Sequence, residues 1–129
     1  MLTKRAFCTG LMLVAVAAQV PSVAAHDSEK GPNGGPMVEV KGLHLELVTK
    51  EMDVAVVLSD ASHAPLASTG ATGRLVILEG SSQKTVTLAP AQPDRLTAKL
   101  EKPLAKGTRV VVSAKLASGL DLLARFVAK

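Results

Sequence analysis

The sequence predicts an all-β protein built from antiparallel strands. Short runs rich in Val, Leu and Thr recur about every 8–12 residues between turn-forming residues, a spacing typical of all-β domains. Beyond residue 36, no run has the periodicity of an amphipathic helix. The connections between the runs are short. Because parallel strands need long crossovers, short connections favour antiparallel pairing.

Residues 1–25 have the three-part pattern of a bacterial signal peptide. Lys4 and Arg5 give a positive start, and the apolar run Ala6–Ala18 is too short to span a bilayer. Pro21 then ends the run, and small residues occupy positions 23–25. We therefore expect export to the periplasm with cleavage after Ala25. Cleavage after Ala18 stays open as an alternative.

Removal of this leader would change the composition of the protein and thereby the classes of function that the composition argues against. The chain has 129 residues, one cysteine, no Trp or Tyr and a formal net charge of +4. Cys8 and Phe7 leave with the leader, so the exported protein would have no disulfide and only Phe126 as an aromatic residue. This composition argues against nucleic-acid binding, which uses aromatic platforms and larger basic patches. No later apolar run is long enough to span a membrane, so the mature protein is not expected to be membrane-spanning.

The remaining chain divides into an arm and a domain. Residues 26–36, HDSEKGPNGGP, are rich in Gly, Pro and charge and contain no apolar side chain. Such a segment buries too little surface to offset its ordering entropy, so it predicts a flexible arm. Residues 37–129 form the predicted β domain.

The first predicted strands follow from alternation. The run 37–40 is short and apolar, and 42–50 alternates Leu43, Leu45 and Leu47 with less apolar neighbours. In 53–59, valine and leucine again occupy every second position. We expect the alternating aliphatic side chains to face the core.

The later strands follow from turns as well as alternation. A Gly-Ser-Ser sequence at 80–82 predicts a hairpin, and an Ala-Ser-Gly turn at 117–119 leads into the last strand. About eight strands in roughly 100 residues fit two facing sheets in an immunoglobulin-like or fibronectin-like β-sandwich. The later predicted strands are 74–79, 84–88, 95–100, 108–116 and 121–129.

The residues do not assemble a catalytic set. No cysteine nucleophile remains after the leader, and no serine stands in a G-x-S-x-G turn. Ser62 and His63 are neighbours in sequence, which is not the arrangement of a triad. Gly31, Gly34 and Gly35 precede a strand and do not predict a phosphate loop. We expect a protein without enzymatic activity.

The histidines predict a metal site instead. Cleavage after Ala25 would give His26 a free α-amine, which can chelate one metal together with the imidazole, a pairing that suits Cu(II). His44 and Glu46 lie two residues apart on one strand, so both face away from the leucines. His63 follows in a loop. Each of these residues also has a structural interpretation. His44 and Glu46 fit a solvated strand face, His63 fits an exposed loop, and His26 fits the start of a disordered arm.

Part of the sequence resembles a known group of exported proteins. The G-P-N-G-G segment at 31–35, followed by residues 37–40 and G-L-H-L-E-L-V at 42–48, resembles small bacterial β-domain proteins and periplasmic segments found with heavy-metal efflux systems. This resemblance implies a periplasmic β domain associated with metal resistance, with His26 and His44 at the matching positions. A weaker likeness to CopC-type copper-resistance proteins rests on the N-terminal histidine and the predicted sandwich.

Two hypotheses of function result. The first is a periplasmic accessory protein that binds copper or another divalent heavy metal through His26, His44, Glu46 and His63, with an envelope or efflux-system protein as its partner. The second is a non-enzymatic interaction or scaffold domain that binds no metal and docks a partner through a sheet edge or face.

Overall fold

A computed structural model describes residues 29–129 of the chain, and the predicted leader and His26 lie outside these residues. Residues 29–129 contain nine strands and no helix, and hence none that could cross a membrane. The strands are β1 (Glu29–Lys30), β2 (Pro36–Val40), β3 (Leu43–Lys50), β4 (Asp53–Ser59), β5 (Thr72–Glu79), β6 (Ser82–Ala91), β7 (Arg95–Lys99), β8 (Arg109–Lys115) and β9 (Asp121–Val127).

The strands form one curled antiparallel sheet in the order β1-β2-β3-β4-β7-β6-β5-β8-β9. The long strand β6 joins its two halves, because its first part pairs with β5 and its last part pairs with β7. The curl brings β9 beside β2, where Val38–Val40 and Leu123–Arg125 line a shared groove. No ladder between β2 and β9 occurs in the described residues, but the Lys41 ammonium donates to the Asp121 carbonyl at 2.7 Å. We refer to this β2–β9 junction as the seam.

The core lies inside the curl and is built from aliphatic side chains with one aromatic ring, Phe126. Leu45 and Leu47 of β3 are buried, and Leu43 packs partly against them, as the alternation predicts. The alternating positions of the other predicted strands are likewise buried in full or in part. They include Val54, Val56, Leu58, Leu96, Ala98, Leu100, Val110, Val112, Ala114 and Leu116.

The all-β antiparallel prediction is confirmed, with differences at the strand ends. β5 begins at Thr72, two residues before the predicted start. In this added part, Gly73 pairs with Leu88 on one side and with Ala114 on the other. A Cβ at Gly73 would crowd the Leu96 side chain. β6 continues to Ala91, because its last residues pair with β7. The predicted hairpin at 80–82 is present, with Glu79 opposite Ser82.

The Gly/Pro-rich segment of the arm is folded against the sheet from residue 29 onward. Glu29 and Lys30 pair with Met37 and Pro36, which makes β1 a short edge strand. The connecting turn is closed by a hydrogen bond of 2.7 Å from the Gly31 N–H to the Gly35 carbonyl. Composition predicts a flexible arm here because it counts apolar burial, whereas this turn is held by hydrogen bonds.

Candidate functional site

The outer face of β3 carries His44 and Glu46, as the alternation predicts. His44 is half-buried, whereas Glu46 is only 2% exposed although it points away from the main core. Different segments cover the two side chains, a loop after β4 for His44 and the turn before β2 for Glu46.

The loop over His44 comprises residues 60–64 and is organised by Asp60. One carboxylate oxygen of Asp60 accepts hydrogen bonds from the Ser62 N–H and hydroxyl, both at 2.9 Å, and from the Ala64 N–H at 3.0 Å. The hydroxyl of Ser62 is the main cause, and the Ala64 N–H the second, of a pKa of Asp60 below its usual value. These bonds hold His63 with a φ of 65°, in the left-handed region that non-glycine residues seldom occupy. We refer to residues 60–64 as the Asp60 loop.

The Asp60 loop places the ring of His63 on the ring of His44. The ring centroids are 4.3 Å apart and the ring planes differ by 19°, so the two imidazoles are stacked. His63 is exposed and covers the half-buried His44. Two of the three histidines of the chain therefore meet, although 19 positions separate them in the numbering. We refer to His44 and His63 as the histidine pair.

The Asp60 carbonyl also fixes the orientation of His44. This oxygen lies 2.9 Å from Nδ1 of His44 and accepts the N–H of His63 at 3.0 Å. A carbonyl only accepts hydrogen bonds, so Nδ1 of His44 is the protonated nitrogen and, in the neutral ring, Nε2 carries the lone pair. Metal-binding histidines are held in the same way, with one ring nitrogen donating to a carbonyl or carboxylate while the other binds the metal.

Glu46 binds the turn of the Gly/Pro segment. Its carboxylate accepts the side-chain amide of Asn33 at 2.9 Å, the backbone N–H of Asn33 at 2.9 Å and the backbone N–H of Gly35 at 2.9 Å. A Cβ at Gly31 would overlap this carboxylate, and one at Gly35 would overlap the Leu47 carbonyl. The close approach therefore requires glycine at 31 and 35, and the function of Glu46 visible here is to hold this turn.

Glu39 is a further polar residue beside the histidine pair, and the sequence reasoning missed it. It is exposed and lies directly opposite His44 across the β2–β3 ladder, while Ser59 lies opposite His44 on β4. Side chains of directly opposite residues share one face of a sheet. The signal in the sequence is the tight Lys41-Gly42 connection, which sets the β2–β3 register.

The site holds two imidazoles from the predicted set. In residues 29–129, no three His, Cys, Asp or Glu side chains gather as a group that could hold a metal ion. His26 lies outside the described residues. No protein-family model matches the chain, and no curated protein matches it.

Proposed function

We propose that the protein is an exported, non-enzymatic metal-binding protein that holds copper or another divalent metal at the histidine pair, with His26 as the third ligand. Its role would be that of an accessory to an envelope efflux or resistance system. The observation that carries the proposal is the 4.3 Å contact between the rings of His44 and His63. Imidazole is a common ligand for copper, zinc and nickel, and two neighbouring rings supply half of a four-coordinate site.

The direction of β1 supports the participation of His26. β1 runs antiparallel to β2, with Glu29 opposite Met37, so its N-terminal end points toward the Glu39 end of β2. His44 lies two residues along the strand direction and two strands across from Glu29, so the straight-line distance between their Cα atoms is roughly 12 Å. Three residues of extended chain span about 10 Å, and two histidine side chains can bridge the remainder.

The stacked rings must turn to share one metal. The lone pairs of two parallel imidazoles lie in parallel planes and do not converge on a single point. His63 is exposed, so its ring can rotate with little loss of packing, whereas the hydrogen bond to Asp60 holds His44. We expect metal binding to separate the stacked rings and to leave Nδ1 of His44 bonded to Asp60.

The proposed ligand set leaves out Glu46, because its carboxylate is engaged by Asn33 and Gly35. Glu39 is a better candidate for an oxygen ligand, since it is exposed and lies opposite His44.

The proposal also keeps the predicted sandwich. What supports that arrangement is a single core cluster that includes Leu47 and Val56 from one half of the sheet and Leu75 and Val112 from the other.

The test uses protein recovered after export, with its N-terminus identified by intact mass. Cu(II) is titrated into this protein and into a form with one extra residue before His26, with calorimetry and electron paramagnetic resonance as readouts. We expect tighter binding and a nitrogen-rich spectrum only with the free His26 terminus. When His44 and His63 are replaced by alanine in the protein with the free terminus, the copper affinity should fall and the spectrum should show fewer nitrogen ligands.

Three results would contradict the proposal. Equal weak binding by both forms would exclude His26 as a ligand, and binding unaffected by the His44→Ala and His63→Ala changes would exclude the histidine pair. No binding by any form would favour the second hypothesis, an interaction domain without metal.

A further inference from the structure

Three arginines lie together on the outer face of β5, β8 and β9. Arg74, Arg109 and Arg125 are all exposed, and none forms an ion pair with another residue of the described range 29–129. The registers put them on one face, because Arg109 lies opposite Val127 and Arg125 lies opposite Val111. Arg74 lies opposite Ser113 on the other side of β8.

Aliphatic side chains separate these arginines. Leu123 and Val127 are 55% and 51% exposed, and they are two of the three large hydrophobic residues exposed in the described part of the chain. Val76, Leu78 and Val111 are half-buried on the same face. Exposed aliphatic clusters on a small domain often mark an interaction site. We refer to the arginines and these aliphatic residues together as the basic face.

The basic face contains a depression of about 410 Å³. Arg109 and Arg125 contribute to its lining together with Leu78, Val111 and Val127. A depression of this kind accepts an apolar side chain and leaves the two guanidinium groups free to bind carboxylates on either side of it. Arginine suits this arrangement because its planar fork binds a carboxylate through two hydrogen bonds.

The charge of the basic face is one-sided. Along the outward positions of β5, β8 and β9, the acidic residue is Asp121, which lies opposite Lys115 at the end away from the depression. Glu79, the acidic residue of β5, is bound to Lys102 at 3.1 Å. A ligand on this face would therefore meet an excess of positive charge, which favours acidic partners over basic or neutral ones.

We propose that the basic face docks an acidic segment of a partner protein, with one aliphatic side chain of that segment in the depression and its carboxylates on Arg109 and Arg125. A concave site with short aliphatic walls fits a peptide side chain better than a flat bilayer surface. The chain also has no Trp or Tyr, the residues that anchor proteins at a membrane interface.

The test uses ¹⁵N-labelled protein recovered after export, as in the metal titration, and a capped peptide of sequence Glu-Glu-Leu-Glu-Glu as the probe. We expect saturable chemical-shift changes confined to amides of β5, β8 and β9. The double change Arg109→Gln and Arg125→Gln should weaken binding about tenfold, roughly the combined effect of losing two solvent-exposed ion pairs. The matched control, Lys50→Gln with Lys99→Gln, removes two positive charges from exposed positions on β3 and β7 and should leave binding within about twofold.

Four results would overturn the proposal. If the arginine and the lysine double variants weaken peptide binding equally, the binding depends only on the net charge of the protein and not on the basic face. Binding to phosphatidylglycerol vesicles without binding to the peptide would make a membrane surface the occupant. Absence of peptide binding would exclude an acidic segment as the ligand. Self-association that the arginine changes abolish would make a second copy of the chain the occupant of the basic face.

Discussion

Asn33 donates both its backbone N–H and its side-chain amide to the carboxylate of Glu46, each at 2.9 Å. With the Gly35 N–H, these bonds join the Gly/Pro segment to the outer face of β3. Glu46 therefore fixes the position of the turn that joins β1 to β2, and with it the position of β1 at the edge of the sheet.

The change Glu46→Gln should destabilise the domain. The carboxylate only accepts hydrogen bonds. In a glutamine, an NH₂ group would replace either the oxygen that accepts from the Asn33 side chain or the oxygen that accepts from the backbone N–H groups of Asn33 and Gly35. We expect the free energy of unfolding to fall by about 1–3 kcal/mol, since at least one part-buried donor would lose its charged acceptor. Urea denaturation measures the change. The control Glu39→Gln alters an exposed carboxylate on the neighbouring strand and should change stability by less than about 0.5 kcal/mol, and equal effects of the two variants would contradict the assignment.

The change Gly35→Ala should detach the turn while leaving the rest of the sheet folded. A methyl group at this position would overlap the Leu47 carbonyl, so the turn must move away from Glu46. We expect faster proteolysis between Glu29 and Pro36 with little change in the circular dichroism spectrum. Pro32→Ala is the control, because it alters the same turn without adding atoms. Equal protease resistance in both variants would show that the turn does not depend on this close contact.

The change His63→Asn should separate metal binding from stability. Asparagine tolerates the left-handed conformation that His63 adopts, so the Asp60 loop should keep its shape. We expect a stability change below about 1 kcal/mol, with copper affinity reduced about tenfold or more. Calorimetric titration and thermal unfolding measure the two effects. Unchanged copper affinity in a folded His63→Asn protein would remove His63 from the ligand set.

Acid should open the Asp60 loop only below the usual titration range of aspartate. The Ser62 hydroxyl, followed by the Ala64 N–H, lowers the pKa of Asp60 in the folded state. A lowered folded-state pKa means that the carboxylate contributes stability above the unfolded pKa and that this contribution is lost as the pH falls through the folded pKa. The amide shifts of Ser62 and Ala64 should therefore titrate together below 3.8, the ordinary pKa of an aspartate side chain. In Asp60→Asn this transition should be absent, and a midpoint above 3.8 in the natural protein would contradict the assignment.

The sequence predicts the strands and their inward faces well, because successive side chains of a strand point alternately toward the core and toward the outer face. Leu45 and Leu47 are the clearest example, and the same rule puts His44 and Glu46 on the outer face. The rule gives no sign that Glu46 is buried there. Its burial depends on a turn of glycine, proline and asparagine, and the composition of that turn predicts flexibility. Hydrogen bonds between residues far apart in the chain leave no repeating pattern in the sequence from which they could be predicted.

The meeting of His44 and His63 is equally hidden in the sequence. It requires the Asp60 side chain to accept three hydrogen bonds from its own loop and the Asp60 carbonyl to accept from both histidines. The Asp60-Ala61-Ser62 sequence is a recognisable turn signal. It does not specify a left-handed His63, and without that conformation the ring would not lie over β3.

The seam between β2 and β9 has a consequence for association between molecules. An open sheet exposes backbone donors and acceptors along its outermost strands, and such strands can pair with those of another copy and seed aggregation. Here the curl turns β9 toward Val38–Val40, and the Lys41 side chain holds the Asp121 carbonyl across the junction. The two borders of the sheet therefore lie beside each other, and loss of this closure would expose strands able to pair with further copies of the chain.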